Sequence, residues 1–161
     1  MKKSTKGFSL IELLIVVAII LIIAAIAIPN LLRSRIAANQ ASAVGSLRTL
    51  NTAEITYSST YNVGFTYSLA YLAPPASATA NPTSTAAGLI DSVLAGGTKS
   101  GYSFAYSPGA SDTTGRINTY AFTAIPITSS TGTNYYYTDQ SGVIRQNSTT
   151  TAAATDSPIA G

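Results

Sequence analysis

No cysteine and no histidine occurs among the 161 residues, and charged side chains make up only 9% of them. The first absence removes thiol nucleophiles, disulfides and thiolate metal sites. It does not fix the compartment, because exported proteins can manage without bridges. The second removes the side chain that titrates near neutral pH, the most frequent general base and metal ligand. The carboxylates do not make up for this. Asp91, Asp112, Asp139 and Asp156 are scattered through turn-like contexts, and their spacing fits no EF-hand loop. No serine stands in a nucleophile elbow, and no glycine-rich phosphate loop is present. The sequence therefore predicts a non-enzyme, with no catalytic residue, no metal and no cofactor.

A basic patch is missing too, although the pI of about 9.2 suggests one. Lys2, Lys3 and Lys6 supply three of the nine basic residues; without residues 1–7, six bases face six acids. The remainder is formally neutral, and no nucleic-acid partner is expected from charge.

What the chain does have is one long apolar run. Phe8–Ile28 is apolar except for Ser9 and Glu12, and aliphatic after Phe8. As a helix its 21 residues extend about 31 Å, close to one hydrocarbon core. The lysines ahead of it place the N-terminus on the cytoplasmic side, against Arg33 and Arg35 beyond it. Three readings compete. One is a plain anchor. Another is a secretory signal with Ala25-Ile26-Ala27 as its cleavage site, although the run exceeds the usual h-region of about 7–15 residues. Neither gives a role to Gly7 or to Glu12, whose burial in lipid costs a few kcal/mol on insertion scales. In the third, the chain is cut between Gly7 and Phe8. That creates an α-amine four residues before Glu12, and between stacked helices this amine and a neighbour's carboxylate form a registering ion pair.

Lys6-Gly7-Phe8-Ser9-Leu10-Ile11-Glu12 followed by the aliphatic run resembles the signal of type IV pilins and of type II secretion pseudopilins. Gly7, Phe8 and Glu12 match position by position, as does Pro29, in the place of the family's helix-softening proline. The resemblance covers residues 1 to about 60, and the rest only in general design. It implies cleavage after Gly7 and N-methylation of Phe8 by a prepilin peptidase. It also implies assembly through Phe8 and Glu12 into a helical homo-oligomeric filament, driven by a cytoplasmic ATPase and a membrane platform protein. Before assembly the subunit would sit among lipid in a bacterial inner membrane, and afterwards in an extracellular filament. A secretion pseudopilin and a membrane-anchored binding protein that never polymerises are the alternatives. The C-terminal disulfide loop of a common variant of the family is absent. A calcium site made of loop carboxylates, as in some pseudopilins, is a further possibility.

The expected fold is α+β, a long N-terminal helix packed on a small antiparallel sheet. The expected organisation is a leader at 1–7, a transmembrane and polymerisation helix at 8–29, its amphipathic continuation at 30–61, and a globular head at 62–161. Pro29 leaves the Ala25 carbonyl without its amide partner, so a kink is expected there. Ala43, Leu47, Leu50, Tyr57 and Tyr61 form one helical stripe, while Arg33, Arg35, Asn39 and Arg48 suit exposed faces. Ala87–Leu94 reads as a short helix stopped by Gly96-Gly97. Tyr102–Tyr106, Thr119–Ile127, Tyr135–Thr138 and Val143–Gln146 read as three or four strands. Pro126 marks an edge or an end, and residues 139–142 form a four-residue hairpin turn. The ten tyrosines are assigned to sheet packing. The Thr/Ala-rich tail from Ser148 reads as poorly ordered, and Asn147-Ser148-Thr149 is a formal glycosylation sequon.

Overall fold

The computed structural model describes residues 8–77 and 79–159. Packing divides the chain into two compact units, one ending at Arg35 and the other beginning at Ile36. A single helix, α1, Leu10–Tyr61, carries the chain from the first into the second. It continues through Pro29.

In the second unit, α1 buries Ala43, Leu47, Leu50, Ala53 and Tyr57. The 3.6-residue period brings these positions to one face, and each large aliphatic among them contributes about 1.5–3 kcal/mol by leaving water. Tyr61 is half-buried against this core. The same face carries polar residues that the apolar pattern does not reveal. Asn51 donates through Nδ2 to Thr138 Oγ1 (2.8 Å) and accepts at Oδ1 from the Tyr120 hydroxyl (3.1 Å). Glu54 is fully buried and takes both donors of Thr66, the amide at 3.0 Å and the hydroxyl at 2.6 Å. Removal from water pushes its carboxyl above the ordinary carboxylate range, partly opposed by the Thr66 hydrogen bonds. Asn39 is not on an exposed face: it is half-buried and donates to the Thr131 carbonyl at 2.9 Å.

Five strands form one antiparallel meander, in the order β1 (Thr98–Lys99), β2 (Tyr102–Pro108), β3 (Tyr120–Pro126), β4 (Tyr135–Asp139) and β5 (Arg145–Asn147). Alternation in β3 buries Tyr120, Phe122 and Ala124 against α1, and the register sets Phe122 opposite Tyr106 and Thr138. Tyr106 packs on Phe122 with ring centroids 4.8 Å apart, and Phe65 meets Tyr120 edge-on at 4.7 Å. Sheet packing thus accounts for Tyr102, Tyr120 and Tyr136, all buried. The fold is α+β as expected, a long helix on an antiparallel sheet.

Several local expectations are corrected. The helix expected at Ala87–Leu94 is only one turn, α2, Ser92–Ala95, started by Asp91, whose carboxylate accepts from the Leu94 amide. Ala87, Gly88 and Leu89 instead donate their amides to the carbonyls of Tyr71, Ala73 and Leu72, at the end of the 3-10 turn Leu69–Leu72. A strand there would have needed alternation, and a helix would have left Leu72 without those partners. β1 was not anticipated, because two residues show no period. β3 is interior, paired on both sides, so Pro126 marks the end of a strand and not an edge. The turn between β4 and β5 is longer than four residues, since pairing resumes only at Tyr137 and Arg145.

The tail from Ser148 is not loose. Asp156 Oδ1 accepts from Asn147 Nδ2, Oδ2 from the Ala153 amide, and its carbonyl from Arg145 Nη1. Beyond it, Gln146 donates its amide to Ser157 O and Ile159 donates its amide to Ile144 O. Hydrogen bonds centred on Asp156 do at this end what a disulfide would do elsewhere.

Candidate membrane and assembly segment

The first turn of α1 forms after Ser9, whose carbonyl accepts from the Leu13 amide at 3.2 Å. From Leu13 to Ile28 leucine, alanine and β-branched aliphatics then follow without interruption. Their helix needs no outside partner for its backbone, which makes it one of the few structures that lipid tolerates. No residue from Phe8 to Arg35 is buried. Phe8 is 75% exposed, and Leu10, Leu21, Ile26 and Leu31 are each more than 60% exposed. A helix apolar on every side is not the half of a soluble amphipathic pair. It needs hydrocarbon, or copies of itself, around its full circumference. By length and composition α1 is able to cross a membrane.

Glu12 is the one acid in this surface and lies in the first turn, where the partial positive charge of the helix terminus favours a carboxylate. Ser9-x-x-Glu12 has the spacing of a capping box, which would give Glu12 a purely local role. Among the described residues neither reciprocal bond of such a box is made, and Glu12 has no ion-pair partner. Its acceptor capacity stays open. Phe8 precedes the helix, and Pro29 lies inside it. Gly7 and the lysines before it lie outside the described residues, as does the expected cut itself.

The acids of the second unit are committed locally. Asp91 caps α2 and pairs with Lys99 at 2.9 Å. Asp112 accepts from Thr114, Arg116 and Asn118, which hold its carboxyl well below the usual range. Asp139 ties its own turn, and Asp156 the tail. Among the described residues no group of carboxylates converges as a metal site would require. Sequence reasoning missed Glu54 as a buried acid. The signal was present, because Glu54 falls on the same helical stripe as Leu47, Leu50 and Tyr57.

The prokaryotic N-terminal methylation motif matches residues 2–28. The type IV wide pilus major component PilA4 of Thermus thermophilus is 65% identical over 37 residues, 23% of this chain and 28% of that protein. The type IV major pilin protein PilA of Myxococcus xanthus is 53% identical over 49 residues, 30% of this chain and 22% of that protein. The chain thus matches less than a third of the length of either relative. No solved structure matches.

Proposed function

We propose that this chain, whose N-terminal segment is that of the type IV pilin family, is the structural subunit of a type IV pilus. The reading rests on one observation: a Gly7-Phe8 junction, then Glu12, then a helix with aliphatic side chains exposed on every side. In this account the subunit first sits as a prepilin in a bacterial inner membrane, with its lysines in the cytoplasm. A prepilin peptidase cuts after Gly7 and methylates the Phe8 amine. A platform protein and an ATPase then move the subunit into a homo-oligomeric helical filament, and lipid around residues 8–29 is exchanged for the same segment of neighbours. Residues 30–61 continue the helix into the head, and residues from 62 onward complete it. Pro29, with no amide to offer Ala25, is where the helix bends most easily on packing.

Glu12 then acts chiefly on docking. The new Phe8 amine of one subunit meets the Glu12 carboxylate of another. Desolvation offsets much of their attraction, so the pair selects register while apolar contacts hold the polymer. Two measurements test this. Intact mass should give 154 residues beginning at methylated Phe8, seven fewer than the 161 encoded. Glu12→Ala should insert and be cut normally, yet give few filaments in sheared fractions at matched levels of processed subunit. An unprocessed chain or a start at Ile28 would overturn the first step, and normal filament yield from Glu12→Ala the second.

A further inference from the structure

Past the end of α1, the chain from Asn62 to Tyr71, the loop at Ser84 and the turn at Thr114–Arg116 enclose a cleft of about 600 Å³. That volume falls within the roughly 300–1,000 Å³ typical of small-molecule sites. We propose that this cleft binds a carboxylated sugar unit, with tyrosine rings against its pyranose face and Arg116 on its carboxylate.

The walls are aromatic and fixed in place. Tyr57, Tyr67 and Tyr71 line the cleft. Tyr57 donates its hydroxyl to the Ser84 carbonyl at 2.7 Å, and Tyr67 donates its hydroxyl to the Gly115 carbonyl. Both protons are committed to backbone, so the two rings are held: Tyr57, 2% exposed, backs the cleft from the core, and Tyr67 is the ring whose surface is offered to a ligand. Gly115 sits at φ +82, a conformation costly for any residue with a Cβ, and this turn presents its carbonyl to Tyr67. Tyr67 remains 47% exposed, which leaves its ring at the mouth open to a ligand.

Among the described residues Arg116 is the only charged side chain lining the cleft. It is half-buried, and among the described residues its guanidinium has neither a hydrogen bond nor an ion pair. The nearby acid does not neutralise it. Asp112 Oδ1 is taken by the Thr114 amide and hydroxyl and the Arg116 amide, and Oδ2 by Asn118. A planar, permanently charged fork with open donors is matched by a carboxylate, which it holds in two parallel hydrogen bonds. The electron-rich face of a tyrosine attracts the C–H face of a pyranose. Asn62, Ser84 and Thr114 add polar groups for sugar hydroxyls. A wholly apolar ligand would leave those groups and the guanidinium unpaired, and a bare inorganic anion would leave the rings unused.

The test uses the full chain in detergent micelles, so it does not depend on polymerisation or on Glu12. Isothermal titration is run with galacturonate, tetragalacturonate, the methyl ester of the tetramer, and inorganic phosphate. The acid sugars should bind saturably and the ester roughly 10-fold to 100-fold more weakly, as for loss of a charge-assisted pair. Tighter binding of the tetramer assigns the ligand to a polymer; equal binding assigns it to a free sugar acid. Arg116→Gln should weaken the acids to the level of the ester and leave the ester unchanged. Tyr67→Ala should weaken acid and ester alike, and Tyr67→Phe, which keeps the ring, should weaken them less. Because the Arg116 guanidinium makes no bond among the described residues, its variant should melt like the parent. The proposal is overturned by absence of saturable acid binding, by acid binding that Arg116→Gln does not move, or by phosphate binding as tightly as the sugars.

Discussion

Truncating Asn51 to alanine should be among the most damaging single changes in the head, although Asn51 is neither apolar nor large. Its amide bonds two different strands, Tyr120 on β3 and Thr138 on β4. Thr138 is fully buried and Tyr120 is 3% exposed, so water cannot take over both bonds. Each lost hydrogen bond removes about 1 kcal/mol net, and each hydroxyl left without a partner adds about 1–3 kcal/mol of unrelieved desolvation. With partial relief by relaxation, Asn51→Ala should cost about 3–5 kcal/mol, against a total stability of about 5–15 kcal/mol for a domain. Guanidinium chloride unfolding of the segment from Ile36 onward, a compact unit in its own right, should show the midpoint falling by about 1 M. A sharper version separates lost bonds from orphaned groups. Thr138→Val and Tyr120→Phe added to Asn51→Leu should recover much of the loss, because no buried hydroxyl then lacks a partner. A cost below about 1 kcal/mol for Asn51→Ala would show that the amide is not what holds helix to sheet.

Glu54 gives a pH signature. Its folded pKa is raised above the unfolded value near 4.5, so the stability tied to its protonated form is complete below that pH and is lost as pH rises through the folded value. Glu54→Gln should remove that slope, whatever its absolute stability; an unchanged slope in urea titrations across acidic to neutral pH would refute the assignment. Asp156→Ala should free the tail and speed hydrogen exchange at the Gln146 and Ile159 amides, while the β2–β3 amides stay protected; uniform protection would refute the clamp.

The parts of this molecule legible in its sequence are those governed by period. The run from Phe8 to Ile28 and the stripe through Leu47, Leu50 and Tyr57 announce the helix, and alternation of aromatic with small residues announces β2 and β3. Glu54 stood on that stripe but was masked by its polarity. What made burial tolerable was Thr66, at the far side of a loop, and no local pattern reports such a pairing. The tail misled because its Thr and Ala residues form no apolar period, and its order derives from Asp156 reaching back to Arg145 and Asn147. In the N-terminal segment the motif is contiguous, so Phe8 and Glu12, with Pro29 beyond them, could be singled out as candidates without any knowledge of the fold. The tyrosine cleft could not, because its walls come from Tyr57, Tyr67, Ser84 and Arg116, which only tertiary folding brings together.

The returning tail also decides how this head behaves when crowded. A sheet with bare margins invites a neighbour's strand to continue its ladder, a route to aggregation that worsens with local concentration. Here the β5 margin is already occupied by the molecule's own Ser157–Ile159, and the opposite margin is the two-residue β1, which carries Lys99. Heads packed densely side by side would therefore meet one margin already occupied and another that is short and carries a charge, which disfavours joining their sheets.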